Sequence, residues 1–286
     1  MRQFNNITII GVGLIGGSIG LAIKKRRLSK DVIGVFRRGS TLRKALLHKA
    51  VDWGTMDMKE GVSDADLVIL ATPVASIPSV AGQVIKLAKE GAVITDVGST
   101  KRWIVENVER HLRRGARAVY FVGSHPMAGS ERTSVEFAKD NLFDKASCIV
   151  TKTKRTNTRA LGAVINFWSS LGAKVTAMSP VEHDRVAAFI SHLPHLVSFS
   201  LAGTVADKYI SYGAEGFGDT TRVASSDPKL WADIFLTNKE EILRSCRLFE
   251  RYIGGIEKAL SRGDRSRIIK MLKTAKTKRD KFVYEK

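Results

Sequence analysis

The chain has 286 residues, 44% of them hydrophobic, and its 47 Lys and Arg against 28 Asp and Glu give a formal net charge of +19. That length and composition suit a globular protein of two domains. No apolar run approaches the roughly 18 residues of a membrane span, and Met1 to Asn6 lacks a signal-peptide core, so a cytoplasmic protein without a membrane partner is expected. The charge attracts anionic metabolites and phosphorylated cofactors as readily as polyanions. Zinc-finger cysteines, RNP-like strands and a low-complexity basic arm are missing, which argues against a dedicated nucleic-acid role. Cys148 and Cys246 have neither metal-ligand spacing nor disulfide density and read as buried thiols, and no metal is expected.

Ile7-Thr8-Ile9-Ile10 is a short apolar strand. It leads into Gly11-Val12-Gly13-Leu14-Ile15-Gly16-Gly17-Ser18 and a helix that ends at Lys24-Lys25-Arg26-Arg27. A G-x-G-x-x-G run between strand and helix is a dinucleotide fingerprint. Gly11 serves the tight turn, Gly13 lets backbone approach a pyrophosphate, and Gly16 packs helix against strand. Leu14 and Ile15 open a helix whose N-terminal N–H groups face the anion. The bland alternative is a merely glycine-rich turn.

The second strand, Val32 to Val35, ends where an acid would bind the ribose of NAD, yet Phe36-Arg37-Arg38-Gly39-Ser40-Thr41 follows. Two guanidiniums and two hydroxyls, Arg37, Arg38, Ser40 and Thr41, suit a 2′-phosphate, which favours NADP over NAD. Surface arginines with NAD held otherwise is the competing reading. A buried strand at Asp66 to Thr72 turns at Pro73, and a helix follows from about Ser76 to Ala88. The next strand, Ala92 to Asp96, runs into Val97-Gly98-Ser99, where Ser99 is a strand-end hydroxyl or the N-cap of the helix to His111. After the strand Ala118 to Val122 comes Gly123-Ser124-His125-Pro126-Met127-Ala128-Gly129-Ser130-Glu131. Strands alternating with helices make a doubly wound sheet, so Thr72, Ser99 and His125 should gather at one rim.

Ser147 to Thr151 and Lys174 to Ala177 read as outer strands around a helix from Thr156 to Leu171, and strand signals stop after Ser179. The expected architecture is an α/β, Rossmann-type doubly wound sheet over residues 1–179, followed by an all-α domain over residues 180–286. Leu193 to Ile210 is apolar on more than one side, as in a helix buried between subunits. His192 and His195 share a helix face. Arg222 either anchors a carboxylate or pairs with Asp219 or Asp227. Pro228 starts a helix reaching about Leu260, and another runs from Arg262 to Phe282. From Lys258 to Lys286 eleven basic residues face three acidic ones, read as a solvated face.

Gly11 to Ser18, Asp96-Val97-Gly98-Ser99-Thr100-Lys101, Gly123 to Glu131, Ser191-His192-Leu193-Pro194-His195, and Asp219-Thr220-Thr221-Arg222 with Asp227-Pro228 and Trp231 occur in order. Over nearly its whole length the chain resembles the prephenate or arogenate dehydrogenase family of tyrosine biosynthesis. The resemblance implies NAD(P)-dependent oxidative decarboxylation, with His125 as the catalytic residue that takes the ring-hydroxyl proton and Ser99 supporting it. It further implies that Arg222 binds a substrate carboxylate, that His192, His195, Ser130 and Glu131 line or gate the pocket, and that Trp231 caps it, from its own or the partner subunit. A homodimer through the C-terminal helices is implied too, and the missing acid after the second strand again favours NADP. Other readings are another two-domain dehydrogenase of hydroxy acids or imines, and a non-catalytic dinucleotide-sensing or nucleic-acid-binding protein.

Overall fold

A computed structural model describes residues 4–114, 118–130 and 132–284. Glu131, expected at the substrate pocket, lies outside the described residues. The first strand, β1 (Asn6–Ile10), feeds helix α1 (Leu14–Arg26). Then come β2 (Asp31–Val35), α2 (Gly39–Leu47), β3 (Trp53–Thr55), α3 (Met58–Val62), β4 (Leu67–Leu70), α4 (Ile77–Leu87), β5 (Val93–Asp96), α5 (Arg102–Arg114) and β6 (Tyr120–Val122). The strands form one parallel sheet in the order β3-β2-β1-β4-β5-β6. The order reverses between β1 and β4, and a ligand crevice opens at the carboxyl ends there.

Both faces of this sheet are buried, which explains the continuous apolar runs of its central strands. Ile7, Ile9, Leu67 and Ile69 join one core with Ile19, Ile23, Phe167 and Trp168, whereas Ile10, Val68 and Leu70 join a second core with Ile77, Val84, Ile104 and Val108. The two-residue period of a strand divides neighbours between the two sides.

Two expectations about strands are corrected. Gly123 ends the pairing of β6, and Ser124–Pro126 forms a further strand, β7. His125 therefore lies within a strand of its own, just past the expected end of the strand Ala118 to Val122. Strands β8 (Ser147–Thr151) and β9 (Lys174–Met178), separated by α6 (Thr158–Ser170), are not outer strands of the large sheet. With β7 they make a second, three-stranded sheet, β7 antiparallel to β8 and β8 parallel to β9.

The chain then becomes helical: α7 (Pro180–Ala187), a π turn at Ala188–His192, α8 (Leu193–Thr204), α9 (Asp207–Ile210), α10 (Glu215–Thr221) and α11 (Pro228–Thr237). Pro180–Thr204 is one continuous run, long and apolar enough by length and composition to cross a membrane, contrary to the reading that no such stretch exists. Its His183, Asp184 and His192 are buried and hydrogen-bonded inside the protein, although only 22% of its most apolar stretch is buried. The single helix expected from Pro228 to Leu260 is two: α11 stops at Asn238 (φ −120°, ψ 28°), and α12 (Lys239–Ser261) and α13 (Arg265–Tyr284) follow.

By compactness the chain divides into Met1–Lys239 and Glu240–Lys286, a different place from the change of sequence pattern near Ser179. The cause is α11, whose Trp231 and Ile234 complete the second core of the sheet. In the second unit the Tyr252 hydroxyl donates to the Met271 carbonyl at 2.8 Å, tying α12 to α13. Cys148 is buried as expected, but Cys246 is only partly so.

Candidate active site

The carboxyl rim of the large sheet carries the glycine turn after β1, Thr72 and Pro73 after β4, and Ser99 after β5, while β7 continues from β6. Gly11 has φ +93°, and a Cβ there would lie 2.6 Å from the Ala71 carbonyl oxygen; one on Gly16 would lie 2.2 Å from the Gly11 carbonyl oxygen. Only glycine permits both. The Thr72 methyl lies against Gly11, and the Ser76 hydroxyl donates to Thr72 Oγ1 at 3.0 Å. No side chain caps α1, and its first turn holds no acid, as an anion-binding N-terminus requires. The left-handed turn and uncapped helix fit a dinucleotide pyrophosphate.

One N–H is not free as expected. Leu14 donates to the Thr133 carbonyl at 2.9 Å, so the loop after β7 rests on the turn and would share it with a bound phosphate. Farther along the rim, Arg37, Arg38, Ser40 and Thr41 are exposed around the start of α2. Neither arginine has an ion-pair partner among the described residues, α2 has no acid in its first turn, and the Thr41 hydroxyl donates to the Arg38 carbonyl at 2.8 Å.

The His125 ring is buried. Its Nδ1 lies 2.8 Å from His183 Nε2, and His183 Nδ1 lies 2.8 Å from Asp184 Oδ1. Asp184 is held in turn by backbone N–H groups: Oδ1 accepts from Lys101 at 2.7 Å and Oδ2 from Arg102 at 2.9 Å. Asp184, reaching over from α7, thus caps α5, so that of the two roles open to Ser99 the capping one is filled by another residue. Burial, with the nearby His183, Lys101 and His192, holds His125 well below the ordinary imidazole range, so it is neutral at pH 7. Burial, with Lys101 and His192, does the same for His183.

Beneath this chain Lys101 and Asp96 form a fully buried ion pair. Asp96 also accepts the N–H of Gly98 at 2.9 Å and of Ser124 at 3.2 Å, fixing the start of β7. Desolvation raises the Asp96 carboxyl and lowers the Lys101 ammonium despite their attraction.

A second group of rings adjoins the first. Asn238 Nδ2 donates to the Asp184 carbonyl at 2.8 Å and to His192 Nδ1 at 3.1 Å, so the break between α11 and α12 links the two. His192 is pushed down to about 4 by burial, with the Asp184 charge and the Ser99 carbonyl acting the other way. Trp231 is buried, stacked on His195 with centroids 3.6 Å apart and edge-on to His192 at 6.1 Å. His195 Nδ1 donates to the Ser191 carbonyl at 2.8 Å, and burial together with the Arg222 charge lowers its pKa.

The structure therefore brings together His125, His192, His195 and Trp231, with the Arg222 charge beside His195 and the Ser99 backbone beside His192. Among the described residues no hydrogen bond joins the Ser99 hydroxyl to His125. Ser130 is exposed and accepts from the Arg132 N–H at 3.2 Å, within its own loop. Sequence reasoning missed His183, Asp184, Lys101 and Asn238. The adjacent His183-Asp184 pair near the start of α7, followed by the apolar residues from Val186 on, was the one available signal.

These features define a dinucleotide-binding α/β fold with a buried, neutral histidine at the rim of its sheet. Residues 19–177 match the family model described as the prephenate dehydrogenase nucleotide-binding domain, and residues 179–274 match the prephenate dehydrogenase dimerization domain. The chain belongs to the prephenate dehydrogenase family. It is 38% identical to the prephenate dehydrogenase of Bacillus subtilis, over 98% of this chain and 77% of that one. With the cyclohexadienyl dehydrogenase of Zymomonas mobilis it shares 33% identity, over 85% of this chain and 84% of that one. The structure of prephenate dehydrogenase from A. aeolicus in complex with hydroxyphenyl propionate and NAD+ superposes with a TM-score of 0.89 at 33% identity, covering 97% of this chain and 98% of that one.

Proposed function

We propose that this chain catalyses the oxidative decarboxylation of prephenate to 4-hydroxyphenylpyruvate, or of arogenate to tyrosine, in cytoplasmic tyrosine biosynthesis. The observation that carries the reading is the neutral, buried His125 at the sheet rim that also bears the glycine turn. A nicotinamide dinucleotide is the cofactor; when bound it accepts the hydride. Gly11, Gly13, Leu14, Ile15 and Gly16 would hold its pyrophosphate, with Thr72 and Pro73 beside them. NADP is the preferred form, because Arg37, Arg38, Ser40 and Thr41 offer a 2′-phosphate two cations and two hydroxyls, with no acid to repel it.

His125 takes the proton of the ring hydroxyl as hydride leaves the carbon that bears it, and the O–H electron pair becomes the carbonyl bond. Carbon–carboxylate cleavage then returns electrons to the ring as carbon dioxide departs, and the phenolate recovers a proton from His125. Aromatisation supplies much of the driving force, so the protein mainly positions the ring and accepts a proton. Ser99 supports the hydroxyl end. Arg222 holds a substrate carboxylate, His192, His195 and Ser130 line or gate the pocket, and Trp231 closes it.

Residues 1–179 serve the dinucleotide and residues 180–286 the substrate and a homodimer. Ile190, Leu201 and Tyr209 are exposed on the helical part, apolar surface that a second copy would cover. The test is His125→Asn. Turnover should fall by about 10²–10⁴ while cofactor affinity survives; near-normal turnover overturns the assignment.

A further inference from the structure

We infer that His183 and Asp184 are positioning residues that fix the tautomer of His125, keeping its proton on Nδ1 and leaving Nε2 as the hydrogen-bond acceptor. The hydrogen-bond chain is anchored at Asp184. Its two oxygens receive the N–H groups of Lys101 and Arg102 at the positive end of α5. Those two N–H donors and the nearby Lys101 ammonium favour the ionised, acceptor-only carboxylate against the burial that raises its pKa.

The third contact of that carboxylate, from Oδ1 to His183 Nδ1 at 2.8 Å, then requires the His183 proton to sit on Nδ1. His183 is buried and neutral, so it carries one ring proton, and its Nε2 is a bare acceptor. The contact at 2.8 Å between His183 Nε2 and His125 Nδ1 must accordingly take its proton from His125. Neutral His125 thereby has its single proton committed to Nδ1. The lone pair left on Nε2 is the one that can take a proton from a substrate hydroxyl.

The groups facing His125 are His183, Lys101 and His192. Of these, His183 alone is hydrogen-bonded to its ring. Without that acceptor nothing keeps the proton off Nε2, and an Nε2-protonated ring would donate to the hydroxyl instead of deprotonating it. When the proton arrives at Nε2, Nδ1–H stays on His183, and the hydrogen bond strengthens as the ring becomes cationic. This inference rests on the proposed role of His125 as base, but the tautomer can be read without substrate.

The test is ring-nitrogen NMR of the full-length protein labelled with 15N-histidine, with His125 assigned through His125→Asn, alongside steady-state kinetics. The parent should show His125 and His183 both protonated at Nδ1 at neutral pH. His183→Phe, which removes the acceptor, should abolish the fixed Nδ1 signal of His125 and lower kcat about 10²-fold, with KM and cofactor affinity within about threefold. His183→Gln, whose side-chain oxygen can still accept, should restore the signal and most of the lost turnover. An Nε2-protonated His125 in the parent overturns the inference. So does a His183→Phe protein that keeps the Nδ1 signal, or a His183→Gln protein as impaired as His183→Phe. If no substrate is turned over, the proposed function fails, and the NMR result still decides the tautomer.

Discussion

The buried Lys101–Asp96 pair allows a prediction in which a second substitution repairs the first. Both side chains are 0% exposed. Lys101→Met keeps the apolar stem but strands the Asp96 carboxylate with only the N–H groups of Gly98 and Ser124. Breaking a buried pair in this way costs about 3–5 kcal/mol. At about 2–4 °C per kcal/mol for a chain near this size, Tm falls by roughly 6–20 °C. Adding Asp96→Asn removes the stranded charge while its oxygen still serves one of the two N–H groups. The unserved N–H costs about 1–3 kcal/mol, so the double variant should be more stable than Lys101→Met alone.

The pH dependence has a definite sign. Burial already raises the Asp96 carboxyl, and losing the ammonium raises it further. A carboxyl with a raised folded-state pKa contributes stability that is present below its unfolded value and lost as pH rises through the folded one. The deficit of Lys101→Met relative to the parent should therefore be larger at pH 8 than at pH 5. Urea unfolding followed by circular dichroism measures all three proteins. A Lys101→Met protein within 1 kcal/mol of the parent, or a double variant less stable than the single, refutes the reasoning.

Arg222→Gln should raise KM for substrate about 10- to 100-fold with kcat little changed, the loss of a charge-assisted hydrogen bond of about 1.5–3 kcal/mol; an unaltered KM removes Arg222 from the pocket. Arg37→Ala with Arg38→Ala should raise KM for NADP at least about tenfold and leave KM for NAD unchanged, so an equal effect on both cofactors sinks the 2′-phosphate reading. His125, His183, His192 and His195 all have pKa values lowered by burial. Below about pH 6.5 the unfolded chain binds protons that the folded one refuses, so stability should decline between pH 7 and pH 5; a Tm that holds or rises over that interval contradicts their burial in the neutral form.

What could be read from the sequence was chemistry that is local. Gly11 is needed for its left-handed φ of +93° and Gly16 because the Gly11 carbonyl approaches it within the same strand–turn–helix unit, and the fingerprint reports both directly. Ser147–Thr151 reads as a strand from its own residues, but an apolar run carries no record of its partner, so the second sheet was not visible. Strand β7 escaped for a related reason: Ser-His-Pro has no apolar alternation, and its register comes from Cys148, Ile149 and Val150. Lys101 and Asp184 were out of reach because charged residues are read as solvated until tertiary structure supplies a partner. The Thr133 carbonyl on Leu14 is a backbone contact between distant segments, which no residue type announces.

The proposed activity is best examined by following cofactor reduction with purified protein while crossing prephenate and arogenate with NADP and NAD. Turnover is expected with at least one of the two substrates, with a higher kcat/KM for NADP than for NAD. Folded protein that binds a dinucleotide yet reduces none in any of the four combinations would contradict it.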